Sequence, residues 1–175
     1  MFPIVLCPEK LHILLVGDGS AAEKRHALLK AAGCDVQWIK KADEASAVLD
    51  QGVDVLFVTD VPTESAAALY QAGKAVGALV NVEDQRAYCD FHVPSIVRRG
   101  DLLLSISTGG KSPRLAQRIR AQLEAEYGEE WARRLNALGI AREQWQAEGA
   151  PYKELSARTD ALIEKNGWLQ QKENA

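Results

Sequence analysis

A chain of 175 residues, 47% hydrophobic and 26% charged, holds enough apolar material for one good core and a smaller second lobe. Its formal net charge of −3 lacks the basic excess of a general nucleic-acid binder, and no apolar run has the length of a membrane span, so neither partner is expected. The first residues, MFPIVLCPEK, carry Pro3 and Pro8 and no early basic region, which does not read as a secretory leader. The cysteines (Cys7, Cys34, Cys89) are odd in number and form no CxxC pair, and His12, His26 and His92 are scattered. Reduced thiols, a cytoplasmic location and no structural metal site follow as expectations.

In chain order, Leu11 to Val16 is a short apolar run ending at Gly17 and predicts a buried strand. Gly17-Asp18-Gly19-Ser20 predicts a turn, and Ala21 to Ala32 a helix that Gly33 stops. Val36 to Ile39 reads as a second strand, Ala42 to Leu49 as helical, Val53 to Thr59 as the third strand, Glu64 to Ala75 as a helix and Ala78 to Val82 as the fourth strand. This alternation predicts a parallel sheet with helices on its faces and right-handed crossovers. The pattern then changes. Phe91 to Val97 and Leu102 to Ser107 flank a turn at Arg98 to Asp101 and predict an antiparallel pair, weakened at Pro94. From Ser112 the chain reads as helical. Leu115, Ile119, Leu123 and Tyr127 form a stripe assigned to core packing; a helix with Trp131, Leu135 and Leu138 follows, then Gly149-Ala150-Pro151 and a last helix ahead of Trp168. The final residues, QKENA, read as a frayed tail.

Two places carry chemistry. Gly17-x-Gly19-x-x-Ala22 lies between a strand and a helix, where a dinucleotide's diphosphate meets a helix N-terminus: Gly17 permits the turn, Gly19 the close approach, and Ala22 the packing of helix on strand. The alternative is a turn that only packs helix on strand. The ribose-binding acid expected about 20 residues on is absent. Trp38-Ile39-Lys40-Lys41 stands there, and its lysines suit either a 2′-phosphate or a solvated turn. The second place is Asn81 to Pro113, where Asp84 follows an apolar run and Thr108-Gly109-Gly110-Lys111-Ser112-Pro113 opens a helix, with Ser112 as cap and Pro113 at the first helical position. Lys111, Arg98 and Arg99 are positioned by sequence to meet anions. His92, a lone histidine on an alternating stretch, reads as structural.

Val16-Gly17-Asp18-Gly19, Thr59-Asp60, Asn81-Val82-Glu83-Asp84, Phe91-His92-Val93-Pro94 and Ser107 to Pro113, in that order, resemble the precorrin-2 dehydrogenase and sirohydrochlorin ferrochelatase family, the N-terminal module of siroheme synthases, over residues 11 to 127. The resemblance implies oxidation of precorrin-2 to sirohydrochlorin with NAD, NADP being the lesser alternative. Some members also insert ferrous iron as a substrate. It implies a homodimer acting on a tetrapyrrole, with Asp84 as the catalytic acid–base group. Gly17, Asp18, Gly19, Ser20, Ala21, Thr59, Asp60 and Asn81 would bind cofactor, and Thr108, Gly109, Gly110, Lys111 and Ser112 would bind substrate. The alternatives for Asp84 and Thr108 are a helix or turn cap and loop shaping.

The fold class is then α/β: a Rossmann-like NAD-binding domain (1–84), a small antiparallel dimerisation segment (85–112) and a helical C-terminal domain (113–175). Three features differ from the family pattern. The segment Lys40 to Gly52 is short where members carry an extra strand, Asp18 replaces the middle glycine, and Val61 replaces a second acid. They motivate a second reading: a non-catalytic relative that binds a tetrapyrrole or nucleotide as carrier or regulatory partner.

Overall fold

The computed structural model describes residues 2–169; the tail reading of 171–175 lies outside them. The chain forms two compact units, residues 1–93 and 94–175.

The first unit is a four-stranded parallel sheet in the order β2-β1-β3-β4, made of β1 (Ile13–Val16), β2 (Val36–Ile39), β3 (Val55–Val58) and β4 (Leu79–Val82). β1 and β3 are buried along their whole length, as central parallel strands covered on both faces must be. Side chains alternate between the faces. Leu14, Val16, Leu56, Val58, Val80 and Val82 meet Val48 and Leu49 of α2 (Ser46–Leu49) and Ala66 and Leu69 of α3 (Thr63–Ala75). Ile13, Leu15, Val55 and Phe57 point the other way, to Leu29 of α1 (Ser20–Ala31) and Cys34.

β2 has the predicted bounds, Val36–Ile39, while the other three strands of the sheet are shorter than the apolar runs that announce them. Pro8–Lys10 is a 3-10 turn that delays β1 to Ile13, and the helix expected over 42–49 is a 3-10 turn at Ala42–Glu44 followed by the single turn of α2. Only these short pieces join β2 to β3, so no further strand lies on that side of the sheet.

β4 is an edge strand, and the following loop covers it. Asn81 and Cys89 form an antiparallel bridge, and Asp90 accepts from the Val80 amide at 2.9 Å and from Lys74 Nζ at 2.9 Å. The Lys74 and Val80 contacts win over partial burial and hold the Asp90 carboxyl below its ordinary value. Phe91 and Val93 pack on the sheet instead of forming a strand; Pro94, with no amide hydrogen, delays the next strand to Ser95.

The second unit holds the hairpin β5 (Ser95–Arg99) and β6 (Leu102–Ile106), then α4 (Pro113–Glu126), α5 (Glu130–Ala147) and α6 (Tyr152–Lys165). The hairpin register leaves Gly100-Asp101 as the turn, so Arg98 and Arg99 belong to β5 and not to the turn expected there. The stripe assigned to core is only half covered: Ala116 is buried, while Leu115 is 50% exposed. The fold class is thus α/β, with a parallel sheet, a small antiparallel pair and C-terminal helices, as the sequence pattern predicts.

Candidate functional site

The glycine turn after β1 sits at the carboxyl end of the sheet, the usual ligand side of open α/β folds. Gly17 has a φ of +137° and lies so close to β3 that a Cβ there would fall 1.8 Å from the Thr59 carbonyl oxygen. Only glycine fits. A Cβ on Gly19 would fall 2.6 Å from Asp60 Oδ2. Gly17 is therefore demanded by approach of the backbone to itself, while at Gly19 the near atoms belong to the tip of the Asp60 side chain. Ala22 is fully buried where α1 meets the sheet.

The start of α1 has no local cap, because its N-cap residue is Gly19. Asp60, just past β3, supplies one from a distance. Its Oδ2 accepts from the Ala21 amide at 2.9 Å and the Ala22 amide at 3.0 Å. Asp60 is exposed, and its φ of +50° puts a non-glycine residue in the left-handed region. Beneath the same turn, the Thr59 hydroxyl is buried without a partner.

Beside the turn, Trp38 takes the place of the missing ribose acid. Its Nε1 donates to the Gly17 carbonyl at 2.8 Å, and its ring lies against His26 at 4.7 Å and under Lys40 at 5.6 Å. Lys40 pairs with Asp18 at 3.0 Å, so the charge that replaces the middle glycine is matched by one of the two unexpected lysines.

Asp84 follows β4, is exposed, and has a φ of +59°. The 3-10 turn Arg86–Tyr88 that follows has no side-chain cap, so Asp84 is not consumed in capping it. Glu83, next to it, is half-buried, and its Oε1 lies 3.9 Å from Arg25 of α1. Burial pushes the Glu83 carboxyl up; Arg25 opposes this, and repulsion from Asp84 and Asp60 adds to it. Burial likewise lowers Arg25, against the pull of Glu83; its guanidinium stacks 5.2 Å from the Phe57 ring centroid and its Nε has no partner. Three acids therefore rim the ends of β3 and β4, with one largely buried arginine behind them. Asn81 is buried and donates to the Phe91 carbonyl at 2.8 Å and the Cys89 sulfur at 3.6 Å, which fixes the loop after Asp84.

In the second unit, Ser112 caps α4 by accepting from the Leu115 amide at 3.2 Å, with Pro113 at the first helical position. Thr108 shapes the loop: its hydroxyl donates to the Ser112 carbonyl at 3.1 Å and accepts from the Ser112 amide at 3.3 Å. Gly109 and Gly110 carry the tight turn with φ of +64° and +72°, closed by the Lys111 amide on the Thr108 carbonyl at 3.1 Å. Lys111 and Arg98 are exposed. Arg99 is not available to an anion in the same way, since it donates to the Tyr127 and Glu124 carbonyls at 2.9 and 3.3 Å and pairs with Glu129 at 3.4 Å. His92 is exposed in the loop before Pro94.

The sequence pattern names the glycine turn, Asp84 and the Thr108–Ser112 block as candidates. It gives no role to Arg25, which lies in no motif, nor to Glu83 and Trp38, which lie inside quoted stretches but matter through the partners the fold brings to them. Among the described residues no three or more His, Cys, Asp or Glu side chains gather into a metal-holding group, and no helix is long and apolar enough to cross a membrane. A surface cleft of about 690 Å³, lined by residues from Pro8 to Val53, lies at the amino ends of the strands, away from the turn and the acids. It carries no such chemistry.

A dinucleotide fits this turn in part. The strand–turn–helix order and the backbone of Gly17 to Ala21 suit a diphosphate, whereas the Thr59 hydroxyl is buried beneath the turn with no surface to offer one. The Ala21 and Ala22 amides are already held by Asp60.

Residues 4–95 match a family described as "Putative NAD(P)-binding", and residues 99–126 match the sirohaem biosynthesis protein central family. A siroheme synthase of Thiobacillus denitrificans is 33% identical over 158 residues, covering 78% of this chain and 32% of its own. One of Nitrosococcus oceani is 33% identical over 140 residues, covering 70% of this chain and 30% of its own. The chain thus spans about a third of the length of these curated relatives. The solved structure of SirC, a precorrin-2 dehydrogenase, superposes with a TM-score of 0.66 at 20% identity, over 93% of this chain and 89% of that one, and so shares its fold.

Proposed function

From the premise that this chain belongs to the putative NAD(P)-binding family, with a sirohaem biosynthesis central segment matched over residues 99–126, we propose that it is a precorrin-2 dehydrogenase, oxidising precorrin-2 to sirohydrochlorin with NAD. The observation that carries the reading is Asp84. It is an exposed carboxylate on a left-handed backbone at the carboxyl end of β4, left uncommitted to the turn after it. When bound, nicotinamide accepts a hydride. The substrate must also lose a proton, and Asp84 is the base that takes it. Asn81 and the loop it fixes hold Asp84 in place, and Glu83 and Arg25 set the charge around it. In the second unit, the Thr108–Ser112 turn presents Lys111, whose exposed ammonium would meet the substrate's carboxylates. The backbone of Gly17 to Ala21 would hold the cofactor's diphosphate.

The same reading makes the protein a cytoplasmic homodimer, which the half-exposed Leu115 and Ile140 of the second unit favour. Sedimentation measures that directly.

The test is anaerobic incubation with precorrin-2 and NAD while NADH absorbance is followed. The wild type should produce NADH, and Asp84→Ala should lose turnover while still binding cofactor. Turnover unchanged in Asp84→Ala would remove the acid–base role. A second reading, a non-catalytic tetrapyrrole or nucleotide binder, is favoured by one observation, the Asp60 carboxylate on the α1 amides. Tetrapyrrole binding with no NADH formed would select it. Supplying sirohydrochlorin with ferrous iron tests metal insertion separately.

A further inference from the structure

We propose that Asp60 is a built-in occupant of the anion seat at the start of α1, which a nicotinamide dinucleotide must displace in order to bind. This rests on the dinucleotide reading above and adds a control to it.

The first amides of a helix lack internal partners and collect positive potential. A carboxylate that accepts from two of them at hydrogen-bonding distance fills the same role as a phosphate. Oδ2 of Asp60 does so at 2.9 and 3.0 Å. This is no local capping box, because the acid is 39 residues from Ala21 and comes from the end of another strand. It also lies over the turn glycine, as shown by the 2.6 Å separation between Oδ2 and a Cβ built on Gly19. A diphosphate resting on that glycine needs the space and the amides that Asp60 holds.

Three features make the occupant releasable. Asp60 is exposed, so its carboxylate can turn into water without crossing a buried environment. Among the described residues, no lysine or arginine lies in ion-pair reach of it, whereas neighbouring Asp18 is neutralised by Lys40. Its left-handed backbone is unfavourable for a residue with a Cβ, so leaving the turn lets the backbone relax as the two amide bonds are given up. Under the same turn the Thr59 hydroxyl is 98% or more covered, unpartnered, and 3.0 Å from a Cβ built on Gly17, a polar group with its bonding capacity unused in this closed arrangement.

The state with Asp60 on the amides and the state with dinucleotide on them exclude each other. Apparent affinity is then lowered by the fraction of molecules in which the carboxylate has left.

The test is calorimetric titration of wild type, Asp60→Ala and Asp60→Asn with NAD, NADP and inorganic pyrophosphate, with thermal unfolding of each protein alone and with ligand. Asp60→Ala should melt at a lower temperature than wild type when free, because the helix loses its cap. It should nevertheless bind the dinucleotide about tenfold more tightly. Pyrophosphate should raise its melting temperature more than that of the wild type. Asp60→Asn keeps an acceptor without the charge and should fall between the two; it carries the test if the alanine variant does not fold. Equal or weaker dinucleotide binding by the variants overturns the displacement model and leaves the dinucleotide reading standing. Absence of dinucleotide binding by all three proteins removes both.

Discussion

The two units of this chain hold their shape in different ways. In the first, β1 and β3 are covered from both sides, and residues such as Leu14, Leu15, Leu56 and Val80 are fully buried. Among the described residues of the second, the buried hydrophobics are Val97, Ala116 and Leu155, and α5 buries none of its residues. What organises the second unit locally is a set of polar closures: Arg99 on the end of α4, Ser112 on its start, and Arg158 bridging Glu148 and Glu154. The first unit depends on close packing, which tolerates no added atom. The second depends on hydrogen bonds at helix ends and leaves apolar side chains such as Leu115 half uncovered.

This contrast can be broken by substitution. The largest effect belongs to Gly17→Ala, where the new Cβ meets the Thr59 carbonyl at 1.8 Å on a positive-φ residue. Chemical denaturation should show a loss of at least about 3 kcal/mol, or no folded protein. Near-normal stability there would mean that the strand ends are less tightly joined than described.

Next is Arg99→Ala in the second unit. It removes the charged donor from the Glu124 and Tyr127 carbonyls and should cost about 2 kcal/mol by denaturation. An effect within about 0.5 kcal/mol would place the second unit's stability elsewhere.

Asp90→Asn comes third, at about 1.5 kcal/mol at neutral pH. Because the folded Asp90 carboxyl is held below its ordinary value, its stabilisation is full above the unfolded pKa. It fades as pH falls through the lower folded value. The gap between wild type and Asp90→Asn should therefore close in acid. Glu83, shifted upward, contributes in the opposite sense, with stability lost as pH rises, and this cancels when the two proteins are compared at each pH. A gap that stays constant with pH would sink the ionic account of the β4 edge.

The smallest expected change is Ser112→Ala, about 1 kcal/mol from the lost cap of α4, read as a lowered melting temperature. No change would mean that the Thr108–Lys111 turn holds the helix start without it.

Much of the local geometry around the candidate residues is legible in the chain itself. Ser112-Pro113 declares a helix start because a hydroxyl and a fixed φ do their work within one turn of backbone. Gly17 and Gly19 declare a turn for the same local reason. Asp84 stood out through its place after an apolar run and through the family pattern around it. Arg25, Glu83 and Trp38 did not stand out: each owes its role to a partner at 3.9, 3.9 and 2.8 Å that is distant in the chain. The stripe on α4 was overread, because periodicity reveals which side chains share a face and not whether anything covers that face.

The order of strands and helices, the glycine turn and the capped start of α4 belong to the sequence, since they follow from short-range rules of backbone and side-chain geometry. That Asp60 reaches across to the amides of α1, that Thr59 stands against Gly17, and that Arg99 closes a helix rather than greeting a ligand were settled only when the strands took their places side by side. Hydrogen bonds and close contacts act over a few ångströms, and which distant residues come within that range is a property of the packed chain alone.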